Sequence, residues 1–248
     1  MSGVRTIDVA ITPPAIAARP PAGVAVVIDV LRATSTIATA LANGASGVIP
    51  VREPDEAIAT MKRIGRDRVL LCGERASRLI TGFDLDNSPA SYTAVAVRGK
   101  TLAFTTTNGT RALIDAARDG AVVYCGALLN RGAIAHALRA GEAADALLVC
   151  AGNEGTLSFE DLLCAGAIVT QLYRADRTLQ RSDAARAAMT VYEANAKQLI
   201  TAIAFGTHAR ALRDAGFAAD VAACAQLDVL DVVPVYRDGL ITPLERTG

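Results

Sequence analysis

Apolar residues fall in short blocks along this chain, and polar or glycine-bearing turns separate the blocks. Val24–Ile28 and Ala146–Cys150 are apolar throughout, and Val69–Cys72 is the same pattern one residue shorter. Thr6–Ile11, Gly47–Val51, Lys100–Thr105 and Ala121–Cys125 are runs of similar length with at most three polar positions. Apolar runs this short, bounded by turn formers, predict strands buried on both faces. The intervening segments carry helix signals. Pro54-Asp55-Glu56 puts proline and acids in a first turn that runs on to about Ile64, as the missing amide and the helix dipole favour. Asn43-Gly44 stops a helix that begins near Ser35, Asn130 caps one reaching Ala140, and Ser158 caps Phe159–Tyr173. A further helix is expected from Thr110 to about Arg118. From Ser182 to Ala225 the pattern is helical, with breaks near Gly206 and Gly216; Leu227–Tyr236 reads as a last strand region, and Asp238-Gly239 as a turn.

Strands that alternate with helices predict an α/β fold. The expected architecture is a layered α/β/α arrangement, with a largely parallel or mixed sheet flanked by helices and a helix-rich C-terminal third. A weak internal echo is visible: strand, polar loop and capped helix recur at 24–43, 101–118 and 146–173. No Gly/Ser-rich or Pro-rich linker divides residues 1–248, which read as one domain or as two closely packed lobes.

Composition narrows the function classes. Apolar residues make up 52% of the 248, aromatics only 4%, and Trp is absent, so aliphatic side chains must fill the core. Twenty-five basic residues balance 25 acidic ones, which argues against a chain-wide nucleic-acid footprint and leaves room for a local anion pocket. No apolar run reaches membrane-spanning length, and the first residues lack the basic and apolar regions of a signal peptide. The five cysteines (Cys72, Cys125, Cys150, Cys164 and Cys224) are scattered and form no Cys-x-x-Cys pair. A reduced, cytoplasmic protein is expected, with no membrane or nucleic-acid partner and a symmetric homodimer as the base-rate assembly.

The candidate chemistry sits at strand ends, where α/β proteins place their ligands. The run Val24–Ile28 ends in Asp29, followed by Arg32 and three hydroxyls, Thr34-Ser35-Thr36. The hydroxyls suit either a ligand or the cap of the next helix; Thr34 is the one expected at a ligand. Thr105-Thr106-Thr107-Asn108-Gly109-Thr110 follows a strand and opens a helix, so it suits an anion site or a simple N-cap. Arg75, in Gly73-Glu74-Arg75, can grip a phosphate or form a surface ion pair. Glu160-Asp161 can serve the helix dipole or give oxygen ligands to Mg²⁺, which takes one or two carboxylates together with substrate phosphate and water. His136 falls mid-helix and His208 between helical segments, neither near a strand end, which argues against a Ser-His-Asp triad or a zinc site. No Gly-x-x-x-x-Gly-Lys-Ser/Thr loop and no Gly-x-Gly-x-x-Gly turn is present. Asp84-Leu85-Asp86 has the spacing of an aspartyl-phosphate motif, but it lies in a loop and is discounted. Acids for a hard cation, with arginines and helix amides for an anion, together suggest Mg²⁺-assisted phosphate chemistry.

Several blocks resemble those of the 2-phosphosulfolactate phosphatase family: Ile28–Thr36, Gly73-Glu74-Arg75, Gly82–Pro89, Thr105–Thr110, Cys150-Ala151-Gly152, Ser158-Phe159-Glu160-Asp161, Cys164-Ala165-Gly166 and Val233-Pro234. Their order and spacing match over roughly residues 4 to 240. Asp86 stands where that loop more often has Gly, and Cys72 where Gly is common. The resemblance implies an α/β fold and a Mg²⁺-dependent phosphatase that releases phosphate from 2-phospho-3-sulfolactate, a small anionic phospho-acid on the way to coenzyme M. In that reading Asp29, Glu160 and Asp161 hold Mg²⁺, and the catalytic groups are Asp29, Glu74 and Arg75. Arg32, Thr34, Asn87 and Ser88 are expected substrate contacts. So are Thr106, Thr107, Asn108, Gly109 and Thr110. The alternative is a non-catalytic α/β module that binds an anion or a nucleotide; a third reading keeps the chemistry and changes the phospho-acid.

Overall fold

The computed structural model describes residues 3–17, 22–117 and 121–245. Its sheet has eleven strands in the order β5-β4-β6-β3-β11-β10-β7-β2-β8-β1-β9. In chain order these are β1 (Thr6–Ala10), β2 (Val24–Ile28), β3 (Gly47–Pro50), β4 (Val69–Arg75), β5 (Arg78–Leu79), β6 (Thr101–Thr105), β7 (Val122–Gly126), β8 (Asp145–Cys150), β9 (Gln180–Arg181), β10 (Pro234–Arg237) and β11 (Leu240–Pro243). The α/β reading holds, and the pattern places β2 at its observed bounds. The turn expected at Pro20-Pro21 and the helix end at Arg118 lie outside the described residues.

Two parallel blocks make up most of the sheet. In one, β2 pairs in parallel with β7 and β8, and β8 with β1; in the other, β6 pairs in parallel with β3 and β4. Between the blocks lies the antiparallel hairpin β10–β11, whose turn is Asp238-Gly239, with both residues at positive φ (49° and 84°). That is the geometry that Asp-Gly favours in a two-residue hairpin. The hairpin is antiparallel to β7 on one side and to β3 on the other, so the blocks point in opposite senses. The sequence pattern did not predict β11. It also placed the last strand too early, because residues 227–233 spend their hydrogen bonds elsewhere. Asp228 N and Leu230 N donate to Leu128 O and Leu129 O, and the Asp228 carboxylate accepts from Gly132 N at 2.6 Å.

Opposed blocks in a flat sheet would put their carboxyl ends on opposite edges. Here the loop after β6 packs against the turn after β2: a Cβ on Gly109 would lie 2.5 Å from both Ala33 Cβ and Asp29 Oδ2. The sheet therefore curls. A twist of about 20–25° per pairing over the steps from β2 to β6 swings the strand direction through roughly 100–125°, enough to bring the two sets of ends together.

The helices fill the layers. β2 alternates its faces: Val24, Val26 and Ile28 pack with helices α6 (Arg131–Ala140) and α7 (Phe159–Ala175), while Ala25 and Val27 pack with α2 (Ala33–Ala42) and α5 (Gly109–Ala116). In the other block Leu102 and Phe104 join that same α2–α5 cluster, and Val69, Leu71 and Ala103 face Ala57 of α3 (Pro54–Ile64). Helices α2 and α5 thus form a layer that both blocks share. Short helices stand at Pro14–Ala17 (α1) and Ala94–Val97 (α4). The C-terminal third holds α8 (Asp183–Asn195), α9 (Leu199–Ala204), α10 (Thr207–Asp214) and α11 (Ala218–Cys224), with breaks at Gly206 and Gly216 as the pattern predicts.

Helix α7 crosses α8 without room for a side chain at Gly166. A Cβ there would meet Ala188 O at 2.1 Å and Tyr192 Cβ at 2.7 Å. Because the obstacle is backbone, Gly166→Val is expected to destabilise the fold by the upper part of the usual overpacking range of about 1–3 kcal/mol. A lower urea midpoint at unchanged slope is the signature; an unchanged midpoint would mean that the helices separate freely.

Candidate active site

Asp29 directly follows β2, and its position is set by the hydroxyls that come after it. Thr34 Oγ1 accepts from Asp29 N at 3.0 Å and donates to Asp29 O at 2.8 Å; Ser35 Oγ donates to Val30 O, and Thr36 Oγ1 to Asn87 O, both at 2.8 Å. All three are buried and lie inside α2, whose first residue is Ala33. The helix-cap reading of these hydroxyls is therefore corrected: they strap the strand end and a neighbouring loop to the helix. Asp29 Oδ1 accepts from Ala33 N at 3.3 Å; Oδ2 takes no hydrogen bond from a described residue and lies where a Gly109 side chain would be. Burial raises the Asp29 pKa to about 6; the Glu74 and Glu160 charges add to this, and His208 opposes it.

Helix α7 begins beside this turn. Ser158 Oγ caps it by accepting from Asp161 N at 3.3 Å. Asp161 is buried; Oδ1 accepts from Val30 N at 2.8 Å and Oδ2 from Gly152 N at 3.1 Å, so one carboxylate pins the loops after β2 and β8 together. Burial, then the Asp29 and Glu160 charges, hold its pKa well above the ordinary value. Glu160, buried next to it, bonds His208 Nδ1 through Oε1 at 3.0 Å. Burial disfavours a charged His208, but the Glu160 hydrogen bond and the Glu160 and Asp29 charges outweigh it, and its pKa is raised. The expectation that neither histidine nears the strand ends is corrected for His208: α10 carries it over them.

Arg32 is 2% exposed. Its Nη1 donates to Asp220 Oδ2 at 2.7 Å, its Nη2 to Ser77 O at 3.1 Å, and its guanidinium lies 4.1 Å over the Phe217 ring. Asp220, on α11, accepts from Ser88 Oγ through Oδ1 at 2.7 Å. Beside Ser88, the Asn87 side-chain Oδ1 is buried with no partner among the described residues. Asp84 and Asp86 are occupied within their own region: Asp84 pairs with Arg66, and Asp86 Oδ1 accepts from Ser88 N and Ser91 Oγ. The extra charge at Asp86 is thus held by its own loop.

The second block supplies Glu74, Arg75 and the loop after β6. Glu74 Oε1 accepts from Thr107 N and Oε2 from Ser77 N, both at 2.8 Å. Arg75 Nη2 donates to Arg52 O at 2.9 Å and Thr105 Oγ1 at 3.0 Å, and its Nη1 to Glu74 O. Thr106 and Thr110 bond each other, with Thr110 N donating to Thr106 Oγ1 at 3.2 Å and Thr106 N to Thr110 Oγ1 at 3.1 Å. Asn108 Oδ1 accepts from Glu154 N at 3.3 Å, linking this loop to the one after β8.

The three echoing units noted in the sequence, β2–α2, β6–α5 and β8–α7, are therefore the three whose polar loops meet. Asp29, Glu160, Asp161 and Gly109 come together there, with Glu74 within electrostatic reach. His208, Phe217 and Asp220 complete the group from helices that carried no local motif; only their contact with residues 48 to 188 positions away marks them.

Among the described residues, no three or more His, Cys, Asp or Glu side chains gather as a ready metal cage. Mg²⁺ does not need one, because it binds through one or two carboxylates and keeps its other positions for water and phosphate oxygens. Asp29, with Oδ2 unclaimed, and Glu160 beside it fit that requirement. Asp161, with both oxygens turned to backbone amides, fits the part of a brace.

A family model described as 2-phosphosulpholactate phosphatase matches residues 11–239. The chain is 44% identical over 216 residues to a probable 2-phosphosulfolactate phosphatase of Caldanaerobacter subterraneus subsp. tengcongensis, covering 87% of this chain and 88% of that one. It is 41% identical over 222 residues to a protein of the same description from Symbiobacterium thermophilum (90% and 94%), and 44% over 218 residues to one from Thermotoga petrophila (87% and 90%). The matched span runs from before β2 to the β10–β11 turn and includes every residue placed in the site above, and the chain accordingly belongs to the 2-phosphosulpholactate phosphatase family.

Proposed function

We propose that this protein hydrolyses the phosphomonoester of 2-phospho-3-sulfolactate, or of a closely similar phospho-acid, to the hydroxy acid and inorganic phosphate, with Mg²⁺. The observation that carries the reading is Asp29: a buried carboxylate with one unclaimed oxygen, at the meeting point of three strand ends. The names of the relatives supply the substrate. Asp29 and Glu160 hold the cation, while Asp161 keeps the two loops in register. Mg²⁺ held there would supply charge neutralisation on the phosphate oxygens. Water forms the new bond to phosphorus, the ester P–O bond breaks, and a proton from that water goes to the departing alkoxide, which leaves as the alcohol. Arg32 has uncommitted N–H donors beyond the two in use and binds an anionic group. The Asn87 amide and the backbone amides at Asn108 and Gly109 are further donors to the substrate. Glu74 and Arg75 hold β4 against the loop after β6, where the phosphate-facing amides sit.

Among the described residues no helix is long and apolar enough to cross a membrane, and all five cysteines are free and buried. The free cysteines support a reading as a cytoplasmic enzyme.

The test is direct. Purified protein with phosphosulfolactate and Mg²⁺ is expected to release phosphate, EDTA to stop the release, and added Mg²⁺ to restore it. Turnover indifferent to EDTA would remove the cation from the mechanism. Phosphate binding without hydrolysis of any phosphomonoester would instead point to a binding module.

A further inference from the structure

We infer that Asp220 is a positioning residue of this site: it sets the plane of the Arg32 guanidinium and the seat of the Asn87–Ser88 loop, and so makes α11 part of the substrate-binding machinery. The inference rests on the reading of the site as one for a small, multiply charged anion.

Three contacts fix Arg32. Asp220 Oδ2 holds Nη1 at 2.7 Å, Ser77 O holds Nη2 at 3.1 Å, and the Phe217 ring lies under the guanidinium at 4.1 Å. A carboxylate at one edge and an aromatic face below leave the planar fork little rotational freedom. Such a fork binds anions best when it is oriented beforehand, because less is then lost on forming each charge-assisted bond. Both Asp220 and Phe217 come from the segment at α11, remote in sequence.

The other oxygen of Asp220 reaches the loop. Ser88 Oγ donates to Asp220 Oδ1 at 2.7 Å, Ser88 N donates to Asp86 Oδ1 at 3.0 Å, Tyr92 Oη to Asp86 O at 2.6 Å, and Thr36 Oγ1 to Asn87 O at 2.8 Å. The loop is thus pinned around the Asn87 side chain, whose buried Oδ1 has no described partner. A buried amide oxygen left without a donor is costly, so the Asn87 side chain is not held there by the fold's own hydrogen bonds, and the N–H donors of the same amide are what suit an anion. One carboxylate therefore holds both the Arg32 fork and the Asn87–Ser88 loop. Stability does not explain the arrangement, since an apolar pair of the same volume commonly stabilises as well as a buried ion pair.

The experiment is a kinetic comparison of wild type with Asp220→Asn, Arg32→Lys and the double variant. If Asp220 acts by orienting Arg32, Asp220→Asn raises KM about 10-fold or more with kcat within about threefold, because an interaction common to ground and transition states is lost. In the double variant KM rises no further than in Arg32→Lys alone, since the two residues act as one unit. An unchanged KM in Asp220→Asn, or losses that multiply in the double variant, would overturn the inference. Phe217→Leu and Ser88→Ala each remove one restraint and leave the ion pair; each is expected to raise KM several-fold at near wild-type melting temperature. They decide the matter if Asp220→Asn does not fold, and an unchanged KM in both overturns the inference. If wild type hydrolyses no phosphosulfolactate, the substrate reading fails separately. The same variants are then compared for binding of inorganic phosphate by calorimetry, where equal affinity in wild type and Asp220→Asn overturns the inference.

Discussion

Asp29→Asn is expected to reduce kcat by on the order of 10³–10⁴-fold while making the fold more stable at neutral pH. The activity loss follows from replacing the unclaimed Oδ2 by an amide nitrogen that cannot bind a cation. The stability gain follows from the pKa. Burial raises Asp29 to about 6 from an ordinary 3.8, so the folded state holds a proton more tightly than the unfolded chain. Stability from this group is therefore complete below about pH 3.8 and is lost as pH rises through about 6. The loss is on the order of 3 kcal/mol. An asparagine carries no such charge and still offers Ala33 N an oxygen. In EDTA-containing buffer, Asp29→Asn should melt above wild type at pH 8 and close to it at pH 4. A variant that retains turnover, or one that melts below wild type at pH 8, would contradict this account of Asp29.

Asp220→Ala is expected to cost about 3–5 kcal/mol of stability, the range for removing one partner of a buried ion pair. The Arg32 and Asp220 side chains are only 2% and 5% exposed, so the guanidinium left behind cannot reach water without dislodging α11 from the site. The Ser88 hydroxyl loses its acceptor at the same time. The converse experiment removes both charges. Arg32→Met with Asp220→Leu is expected to recover most of the lost stability, because no unpaired charge stays buried, and to remain inactive. Urea unfolding of the single and double variants measures both effects. A cost below about 1 kcal/mol for Asp220→Ala, the value of an exposed pair, would show that the segment relaxes into solvent.

These two residues also mark how much of the site was legible in the chain. Asp29 announces itself, as an acid that closes a five-residue apolar run and is followed by Arg32. Nothing around Asp220 does. It sits in Ala218-Ala219-Asp220-Val221, an ordinary amphipathic turn, and its two partners are 188 and 132 residues away. His208 is the same case. The sequence left the Thr34–Ser35–Thr36 hydroxyls between a ligand, expected at Thr34, and the cap of the next helix, the two local uses of such residues. In the fold they close bonds to Asp29, Val30 and Asn87.

The sequence by itself determined the elements whose signals are local. The bounds of β2 and of α3, the Ser158 cap and the Asp238-Gly239 turn each depend on residues within a few positions of one another, through burial period, dipole, cap and positive φ. It also determined which loops are polar enough to hold chemistry. Only the tertiary structure decided that the β10–β11 hairpin separates two opposed parallel blocks, that the curled sheet brings their carboxyl ends together, and that α10 and α11 close over them. Those outcomes depend on the packing of both sheet faces and on pairings across more than a hundred residues. No single stretch of the chain carries that sum.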